Sequence, residues 1–553
     1  MSFDDARRDL EAWRADVPAD PFGADAPLRR LLERALPPDR LAALTESAAH
    51  FGRNVAEVVG PAAARYEHRA HLPVLARFDG FGRRIERIEF DPAYATAGEA
   101  VWASGLVAQS GTPGRAYEQA TLLYLLSLEG EAGHACPAVC TIGLARALRR
   151  VADPDVRDRF LPPLLDTDYA HAQRGSQFLT EVQGGSDVGA NATVARPQPD
   201  GSYEISGEKW FCSVADAQQF LVTARVPDGL PGTRGLGCFV VPRTHDGEPN
   251  GFTLRRLKEK LGTRGMASGE IDLDGARAWP IGPVEHGFRT AVGIVLNTSR
   301  WMTALGSAGM MRRAYLEASA YARHRRAFGR PIGEFASTRA TVADLRVKWL
   351  AGLHLVFELT ALEDRIDAAT ADDEIGAYHR FLVNATKYAL SVDATAAVRS
   401  AIEVLGGNGT IEDFSVLPRL YRDSIVYESW EGTHNVLVAQ VLADLHRMPI
   451  VEVVGERIRK LCTASASPVT DRTLTALADA LGGMRRSMTD TEFAARHFRG
   501  VLDRVVTIAR IAVLLDGGEV VAAEHLLRTS VVGESAQDDS GYGERVDELA
   551  SAE

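Results

Sequence analysis

The chain has 553 residues, of which 46% are apolar and 25% charged, and its formal net charge is -12 at pH 7. This length exceeds what one hydrophobic core usually serves, so we expect several packed domains in a soluble globular protein. The negative charge argues against a global attraction to nucleic acid or to an anionic membrane. No apolar run approaches the roughly 20 residues of a membrane helix.

Two features bear on the compartment. The first residues lack the apolar stretch, preceded by positive charge, that marks a secretory signal. The five cysteines show no dense spacing pattern, which fits reduced thiols better than a disulfide framework. We therefore expect a cytoplasmic protein.

Residues 1–175 are rich in Ala, Leu and Arg and predict a helical N-terminal domain. The stretch 117–150 is nearly free of helix-breaking residues, and Pro162 and Pro163 end the pattern. Within it, His134, Cys136 and Cys140 have a spacing that suits zinc, but no fourth ligand lies nearby. A buried helix explains the spacing better, and we predict no metal site.

Residues 176–283 have a different sequence pattern, with short runs of β-favouring residues separated by Gly, Pro, Asp and Asn. This spacing predicts a small antiparallel sheet or barrel. The predicted strands are Ser202–Ser206, Phe220–Val226, Gly237–Val241, Phe252–Arg256 and Glu270–Asp274.

Helical periodicity returns in residues 284–447, which predict a helical bundle, and residues 448–533 predict a further helical region. Residues 534–553 are acidic and poor in large apolar residues, so we predict a mobile tail. The fold class is therefore mainly α with a middle β-barrel. One predicted buried helix face consists of Leu345, Trp349, Leu353 and Val356.

The first candidate binding segment follows Phe178, where helices give way to strands. Gly184 and Gly185 carry no side chain and leave backbone N–H groups accessible, while Thr180 and Ser186 offer hydroxyl groups. The pattern suits a ligand with flat, hydrogen-bonding edges. An ordinary turn explains the same residues, and composition alone favours the turn.

A second candidate segment, Glu208–Ser213, follows an expected turn at Gly207. Trp210 could stack on an aromatic cofactor or belong to the core of the sheet. The sequence contains neither a Gly-x-Gly-x-x-Gly fingerprint nor a Walker A motif, which disfavours a Rossmann or P-loop nucleotide site.

Basic residues mark the bundle at Arg300 and in Arg323–Gly329. Arg325 could contact a phosphate while Phe328 packs on a heterocycle. The alternative is a solvated helix end, because cations are favoured at a helix C-terminus.

The leading catalytic candidate is Glu431, which lies between Trp430 and Gly432 in the stretch 421–435. A carboxylate beside an aromatic ring loses hydration, which raises its pKa towards the value that a general base needs. Gly432 allows a substrate to approach the backbone closely.

These motifs resemble the acyl-CoA dehydrogenase family over about residues 50–447. The agreement covers Thr-Glu-Val-Gln-Gly-Gly-Ser-Asp-Val, Lys-Trp-Phe-x-Ser, Leu-Gly-Gly-Asn-Gly, Leu-Pro-Arg-Leu-Tyr-Arg and Ser-Trp-Glu-Gly, in this order. These motif sequences are most similar to those of the AidB-like branch, which also has an extra C-terminal helical region.

The resemblance implies a helical N-terminal domain, a β-barrel and a four-helix bundle, with FAD between barrel and bundle and shared across a subunit contact in a homotetramer. It also implies a set of cofactor contacts: Leu179, Thr180, Gly185, Ser186, Trp210, Phe211, Ser213, Arg325, Phe328, Glu403, Gly407, Trp430, Gly432, Thr433 and Asn435.

The implied reaction removes a proton next to a carbonyl group with Glu431 while a hydride passes to the flavin. Arg300 matches a position near the end of the substrate pocket. Its predecessor is Ser299, where some relatives carry their base, so Glu431 is the one credible base.

Three residues depart from the family pattern. Glu403 replaces a glutamine near the pyrophosphate and needs a compensating donor. Cys212 and Ala327 replace residues that commonly carry hydroxyl groups, which removes two possible hydrogen bonds to FAD.

Alternatives to a dehydrogenase of acyl thioesters stay open. One is an oxidase acting on a nitrogen-containing small molecule, and the electron acceptor is accordingly either an electron-transfer flavoprotein or oxygen. Another is a DNA-associated flavoprotein, in which Arg457, Arg459, Lys460, Arg485 and Arg486 form a basic face. Residues 451–553 weaken this idea, because they hold 12 Lys and Arg against 17 Asp and Glu.

Overall fold

The computed structural model of the protein describes residues 3–227, 229–463, 467–532 and 541–551. The helices are α1 (Phe3–Glu11), α2 (Ala26–Ala35), α3 (Pro38–Asn54), α4 (Gly60–Tyr66), α5 (Pro92–Ala103), α6 (Ala116–Leu126), α7 (Ala135–Val151), α8 (Pro154–Phe160), α9 (Gly287–Thr290), α10 (Asn297–His324), α11 (Ala336–Asp367), α12 (Asp373–Leu405), α13 (Leu417–Ser429), α14 (His434–Leu445), α15 (Ile450–Cys462), α16 (Pro468–Thr489), α17 (Thr491–Asp516), α18 (Val520–Leu526) and α19 (Tyr542–Ser551).

The strands are shorter and concentrate in the middle of the chain. They are β1 (Val74–Phe78), β2 (Arg84–Glu89), β3 (Gly175–Phe178), β4 (Val194–Pro197), β5 (Tyr203–Ser213), β6 (Gln219–Arg225), β7 (Leu236–Pro242), β8 (Thr244–His245), β9 (Glu248–Pro249), β10 (Phe252–Leu257), β11 (Ser268–Pro280), β12 (Arg326–Ala327) and β13 (Arg330–Pro331).

The chain divides into two compact units that are each built from separate stretches of sequence. The barrel unit comprises Asn54–Leu126 and Glu131–Met302. The bundle unit comprises Met1–Arg53, Ser127–Gly130 and Thr303–Glu553. In the part of the chain that the structure describes, no helix combines the length and the apolar character needed to cross a lipid bilayer.

The barrel unit contains a closed five-stranded β-barrel. β11 pairs with β5, β5 with β4, β4 with β6 and β6 with β7, and β7 closes the ring by pairing with β11 at Trp279 and Pro280. β10 extends the sheet beside β11, and β3 runs parallel to β6. The prediction of a sheet or barrel in residues 176–283 is thus confirmed as a barrel.

The apolar content of the strands explains how the barrel packs. Residues 219–224 of β6 are all buried, as expected for a strand covered on both faces. A Cβ at Gly175 would lie 3.1 Å from the Cα atom of Thr141, so the glycine lets β3 lie directly against α7. Leu144, Leu221 and Val240 then share one core.

The prediction of a turn at Gly207 was wrong, because β5 continues through this residue from Tyr203 to Ser213. Gly207 has a φ of 151°, and a Cβ there would lie 2.7 Å from the Cα atom of Thr193. The glycine therefore permits a close approach of neighbouring backbone within a strand.

A β-hairpin interrupts the N-terminal region that the sequence predicts to be helical. β1 and β2 pair in antiparallel fashion, and the Asp79 carboxylate accepts hydrogen bonds from the backbone N–H groups of Phe81 and Arg83 in the turn. Such an aspartate-centred turn favours strand reversal. The remaining elements up to Phe160 are helical, as predicted.

The bundle unit is built around the long helices α10, α11 and α12. The predicted face of α11 is confirmed, because Leu345, Trp349, Leu353 and Val356 are all buried. The Trp349 ring stacks on Tyr315 of α10, with 5.4 Å between the ring centroids. Residues 284–447 are therefore mainly helical, as predicted.

The predicted C-terminal helical region is also confirmed, as α15 to α18. Arg457 of α15 forms a two-bond ion pair with Glu358 of α11, at 2.6 and 2.8 Å. The Tyr388 hydroxyl of α12 donates to Asp503 of α17 at 2.7 Å. These contacts attach the region to the bundle helices.

The predicted tail contains one further helix, because residues 542–551 form α19. Arg545, Val546 and Leu549 recur at helical spacing and are buried, and Asp547 pairs with Arg339 of α11 at 2.6 Å. The two apolar side chains and the ion pair explain how α19 packs on α11. Residues 534–540, 552 and 553 lie outside the described residues.

Candidate functional site

In the barrel unit, the candidate segment begins where β3 ends. The Thr180 carbonyl accepts a hydrogen bond from the Trp210 backbone N–H at 2.9 Å, so the structure places Thr180 beside Trp210. Leu179 is buried, whereas Gly185 and Ser186 are exposed. Two segments that sequence analysis treated separately thus meet on the barrel.

Glu181 attaches the segment after β3 to neighbouring parts of the barrel unit through its carboxylate. Its carboxylate accepts from the Ala192 backbone N–H at 2.6 Å and from the Lys209 ammonium at 2.7 Å. Lys209 also donates to the Thr223 carbonyl at 2.8 Å. The side chains of Lys209 and Glu181 are 0% and 2% exposed, so the pair is shielded from water.

The glycines keep the segment open. Nothing lies within 4 Å of a Cβ built on Gly184, while a Cβ on Gly185 would lie 3.0 Å from the Thr180 hydroxyl oxygen. A side chain at position 185 would therefore crowd that hydroxyl group. The segment also forms a hydrogen-bonded turn, in which the Gly184 backbone N–H donates to the Glu181 carbonyl at 3.1 Å.

The strand β5 has a β-bulge at Trp210 and Phe211, because Cys212 pairs with Gly269 and Lys209 with Ile271 of β11. Lys209 and Cys212 are buried, whereas Trp210 is half-buried and Phe211 is 54% exposed. Cys212 is fully buried, so its thiol does not lie on the exposed side of the strand. Ser213 pairs with Ser268 of β11 at the end of the strand.

A lysine that sequence analysis missed lies against these rings. The Lys258 ammonium is 3.4 Å from the Trp210 ring centroid and 4.7 Å from that of Phe211. It pairs with Glu270 at 2.8 Å. The hydrogen bond from Arg256 and the Lys258 charge hold the pKa of Glu270 at about 2, which keeps this carboxylate charged.

Arg300 lies in the first turn of α10 and is buried, as is Ser299. The π-helical segment Ala291–Leu296 precedes this turn. A second buried arginine, Arg146, lies over the Trp301 ring at 4.9 Å and donates to Gln119 at 3.0 Å. Only its charge within an apolar helix could have drawn attention to Arg146 in the sequence.

In the bundle unit, two of the residues expected near the adenine and pyrophosphate, Arg325 and Gly407, line a cleft of about 410 Å³. Its walls are formed by Tyr321, Arg325, Ile332 and Val404–Asn408. Gly407 has nothing within 4 Å of a built Cβ, and Asn408 donates to the Tyr321 hydroxyl at 3.1 Å. Arg325 and Gly407 are thus brought together.

Phe328 lies at the tip of the β12–β13 hairpin and is 97% exposed. Phe328 and Gly329 have φ values of 51° and 87°, as in the two-residue turns that suit tight hairpins. Ala327 precedes the tip in β12. Glu403 is an exposed side chain of α12, and Arg399 lies 3.9 Å from it as a possible compensating cation.

Glu431 occupies a turn between α13 and α14. Its φ is 57° and that of Gly432 is 102°. The left-handed conformation costs a non-glycine residue about 1–2 kcal/mol. Trp430 packs on Tyr427 with 4.6 Å between ring centroids, and Thr433 and Asn435 are exposed at the start of α14.

Lys387 of α12 supports this turn, and sequence analysis did not single it out. Its ammonium group donates to the Glu428 carbonyl at 3.1 Å and to the Gly432 carbonyl at 2.8 Å. The lysine is fully buried. These two carbonyl groups lie on either side of Glu431 in the chain.

The zinc interpretation of His134, Cys136 and Cys140 receives no support. Among the described residues, no group of three or more His, Cys, Asp or Glu side chains could hold a metal ion. His134 instead contacts the Tyr94 carbonyl at 2.7 Å, and burial lowers the pKa of its imidazole to about 3.

Comparison with known families accounts for most of the chain. Residues 15–171 match the adaptive response protein AidB N-terminal domain, residues 176–276 the acyl-CoA dehydrogenase middle domain, and residues 285–446 the acyl-CoA dehydrogenase C-terminal domain.

Individual relatives agree with this assignment. The chain is 33% identical to the putative acyl-CoA dehydrogenase AidB of Escherichia coli (strain K12), over 68% of this chain and 69% of AidB. It is 29% identical to acyl-CoA dehydrogenase family member 11 of Caenorhabditis elegans, over 90% and 84% of the two chains. The crystal structure of C. elegans ACDH-11 in complex with C11-CoA has a TM-score of 0.85 at 25% identity, covering 96% and 91%. The chain belongs to the acyl-CoA dehydrogenase family of flavoprotein oxidoreductases, with an AidB-type N-terminal domain.

Proposed function

We propose that the protein is an FAD-dependent dehydrogenase of acyl thioesters in which Glu431 removes the α-proton of the substrate. The observation that carries this proposal is the left-handed backbone of Glu431 in the turn between α13 and α14. Non-glycine residues in such strained conformations cluster at functional sites, and Glu431 is one of eight with positive φ among the described residues. A half-buried carboxylate next to a tryptophan in the chain is also suited to accept a proton.

The residues of the barrel unit fit the flavin end of the cofactor. Thr180 and Ser186 offer hydroxyl groups, Gly185 keeps the Thr180 hydroxyl uncrowded, and Trp210 and Phe211 offer flat rings. Leu179 and Ser213 would complete these contacts. When bound, FAD supplies the acceptor for the hydride that leaves the β-carbon of the substrate.

The cleft of the bundle unit fits the other end of the cofactor. Arg325 would hold the pyrophosphate, the open backbone at Gly407 would let it approach, and Phe328 would pack on the adenine. Glu403 would need Arg399 to balance its charge in this position. In the homotetramer that we propose, this cleft serves the cofactor of a neighbouring subunit.

The turn around Glu431 would also bind the substrate. The backbone N–H of Glu431 would donate to the thioester carbonyl oxygen and so stabilise the negative charge that develops there. Trp430, Gly432, Thr433 and Asn435 would shape the surroundings of this group, and Arg300 would contact the substrate near one end of its pocket. The substrate class is supported by C. elegans ACDH-11, which binds C11-CoA.

A screen for anaerobic bleaching of the flavin tests the proposed reaction. The purified protein is expected to be yellow and to bleach with C11-CoA or another acyl thioester, but not with nitroalkanes or amines. Bleaching by amines alone would replace the proposal with an enzyme acting on nitrogen compounds. Oxygen consumption during turnover distinguishes an oxidase from a dehydrogenase that passes electrons to an electron-transfer flavoprotein.

Replacing Arg325 by alanine is expected to weaken FAD binding by about 10- to 100-fold, because a charge-assisted hydrogen bond to phosphate is lost. Arg330→Ala is the matched control, since Arg330 lies in the same hairpin but packs on the Phe335 ring, 4.2 Å away. Flavin release on dilution measures both variants. Equal FAD retention by the two variants would remove Arg325 from the cofactor site.

DNA binding is not part of the proposal. Three of the five basic residues that suggested it are engaged in ion pairs: Arg457 with Glu358, Arg485 with Glu452 and Arg486 with Asp490. The neighbouring carboxylates reduce the positive potential that would attract the phosphate groups of DNA.

A further inference from the structure

Lys387 combines two features that need a common explanation. The side chain is fully buried in the bundle unit. A buried ammonium group is strongly disfavoured unless acceptors compensate for its lost hydration. Two of those acceptors are main-chain carbonyl groups, Glu428 at 3.1 Å and Gly432 at 2.8 Å, rather than carboxylates.

The position of these carbonyl groups indicates what the ammonium does. Glu428 lies in the last turn of α13, where carbonyl groups lack partners within the helix and attract a cation. Gly432 follows the last residue of α13 by three positions and has a left-handed backbone. One ammonium group therefore links the end of the helix to the far side of the turn.

We infer that Lys387 is a positioning residue: by binding the carbonyl groups of Glu428 and Gly432, it holds the turn in the shape that directs the Glu431 carboxyl group. This inference rests on the proposed function of Glu431 as the base. Side-chain substitutions leave these main-chain carbonyl groups in place. The two hydrogen bonds can therefore be removed only at their donor, Lys387. Lys387 belongs to helix α12 and lies 44 residues before Glu431 in the chain.

The test compares Lys387→Met, which keeps the length of the side chain but loses the donor, with Lys387→Gln, which keeps one neutral donor. Hydrogen–deuterium exchange of peptides covering residues 426–436 is measured on the FAD-loaded protein without substrate. We expect this segment to exchange about tenfold faster in Lys387→Met and less so in Lys387→Gln, because charge-assisted hydrogen bonds that hold the turn are lost.

Kinetics provide a second readout that a general loss of stability would not produce. The rate of flavin reduction at saturating C11-CoA is expected to fall roughly 10- to 100-fold, since a small displacement of the base has effects of this size. The dissociation constant for C11-CoA should change little. His379→Gln is the control, because His379 lies earlier in α12, is also buried and pairs with Glu363 of α11.

Three outcomes decide the matter. Faster exchange confined to residues 426–436, with slower flavin reduction, supports the inference. Unchanged exchange of this segment in both lysine variants, or the same change in His379→Gln, overturns it. If Lys387→Met does not fold, the Lys387→Gln variant alone carries the same comparison. Failure of the proposed function is recognised separately, because Glu431→Gln would then still reduce its flavin whatever Lys387 does to the turn.

Discussion

Replacing Glu431 by glutamine is expected to leave a yellow, folded protein whose flavin no longer bleaches with acyl thioester under anaerobic conditions. Glutamine has the same shape but cannot accept the α-proton. General base catalysis contributes roughly 10²–10⁴-fold to a rate, so the residual flavin reduction should be slower by about this factor. Stopped-flow absorbance at the flavin band measures it directly.

Glu412→Gln is the control for this experiment. Glu412 is an exposed residue of the bundle unit that pairs with Arg422, so its substitution removes a carboxylate without touching the turn at Glu431. The control should reduce its flavin at the wild-type rate. Undiminished reduction in Glu431→Gln would exclude Glu431 as the base, whatever its geometry.

The second large effect is expected from Lys209→Met, which leaves the Glu181 carboxylate buried without its cation. Breaking a buried ion pair by removing one partner typically destabilises a protein by about 3–5 kcal/mol. Although burial alone raises the pKa of Glu181, the Lys209 charge and the hydrogen bonds to this carboxylate lower it overall. Urea unfolding followed by tryptophan fluorescence measures the loss.

A double variant distinguishes the ion pair from simple packing. Glu181→Gln with Lys209→Met removes both charges but keeps an acceptor for the Ala192 backbone N–H. We expect the double variant to lose less stability than Lys209→Met alone, because no charge remains buried without a partner. The account of this pair fails if Lys209→Met is the more stable of the two.

The barrel could be predicted from sequence because its strands are marked locally. The runs at 220–226 and 237–241 are dense in apolar and β-branched residues and end at Gly, Pro or Asp. The observed strands β6 and β7 agree to within one residue at each end. Where apolar pattern and turn residues coincide, local physics was sufficient.

Tertiary contacts were the main source of error. Gly207 resembled a turn in the sequence, yet it lies within β5 because the backbone of Thr193 leaves no space for a Cβ. This contact is a tertiary one, and the sequence around Gly207 does not indicate it. The helix α19 was missed for a related reason, since three buried residues in an acidic segment become visible only when α11 is present to cover them.

The residues of the candidate site also differ in whether a local sequence pattern marks them. Short motifs were sufficient to identify Glu431, Thr180 and Arg325 as candidates, because each belongs to a contiguous pattern. Lys387 and Lys209 act through partners 28 to 45 residues away, so no motif contains both members of a pair. Residues that support a site are therefore harder to predict than residues that form it.

The central claim is that Glu431 removes a proton from the α-carbon of an acyl thioester, and exchange of that proton with solvent tests it most directly. C11-CoA is incubated with the FAD-loaded protein in D₂O, without an electron acceptor, and the recovered thioester is analysed by mass spectrometry and NMR. Deuterium should enter the α-position with the wild-type protein and stay absent with Glu431→Gln. Equal incorporation by both proteins, or none with the wild type while its flavin is reduced, would contradict the claim.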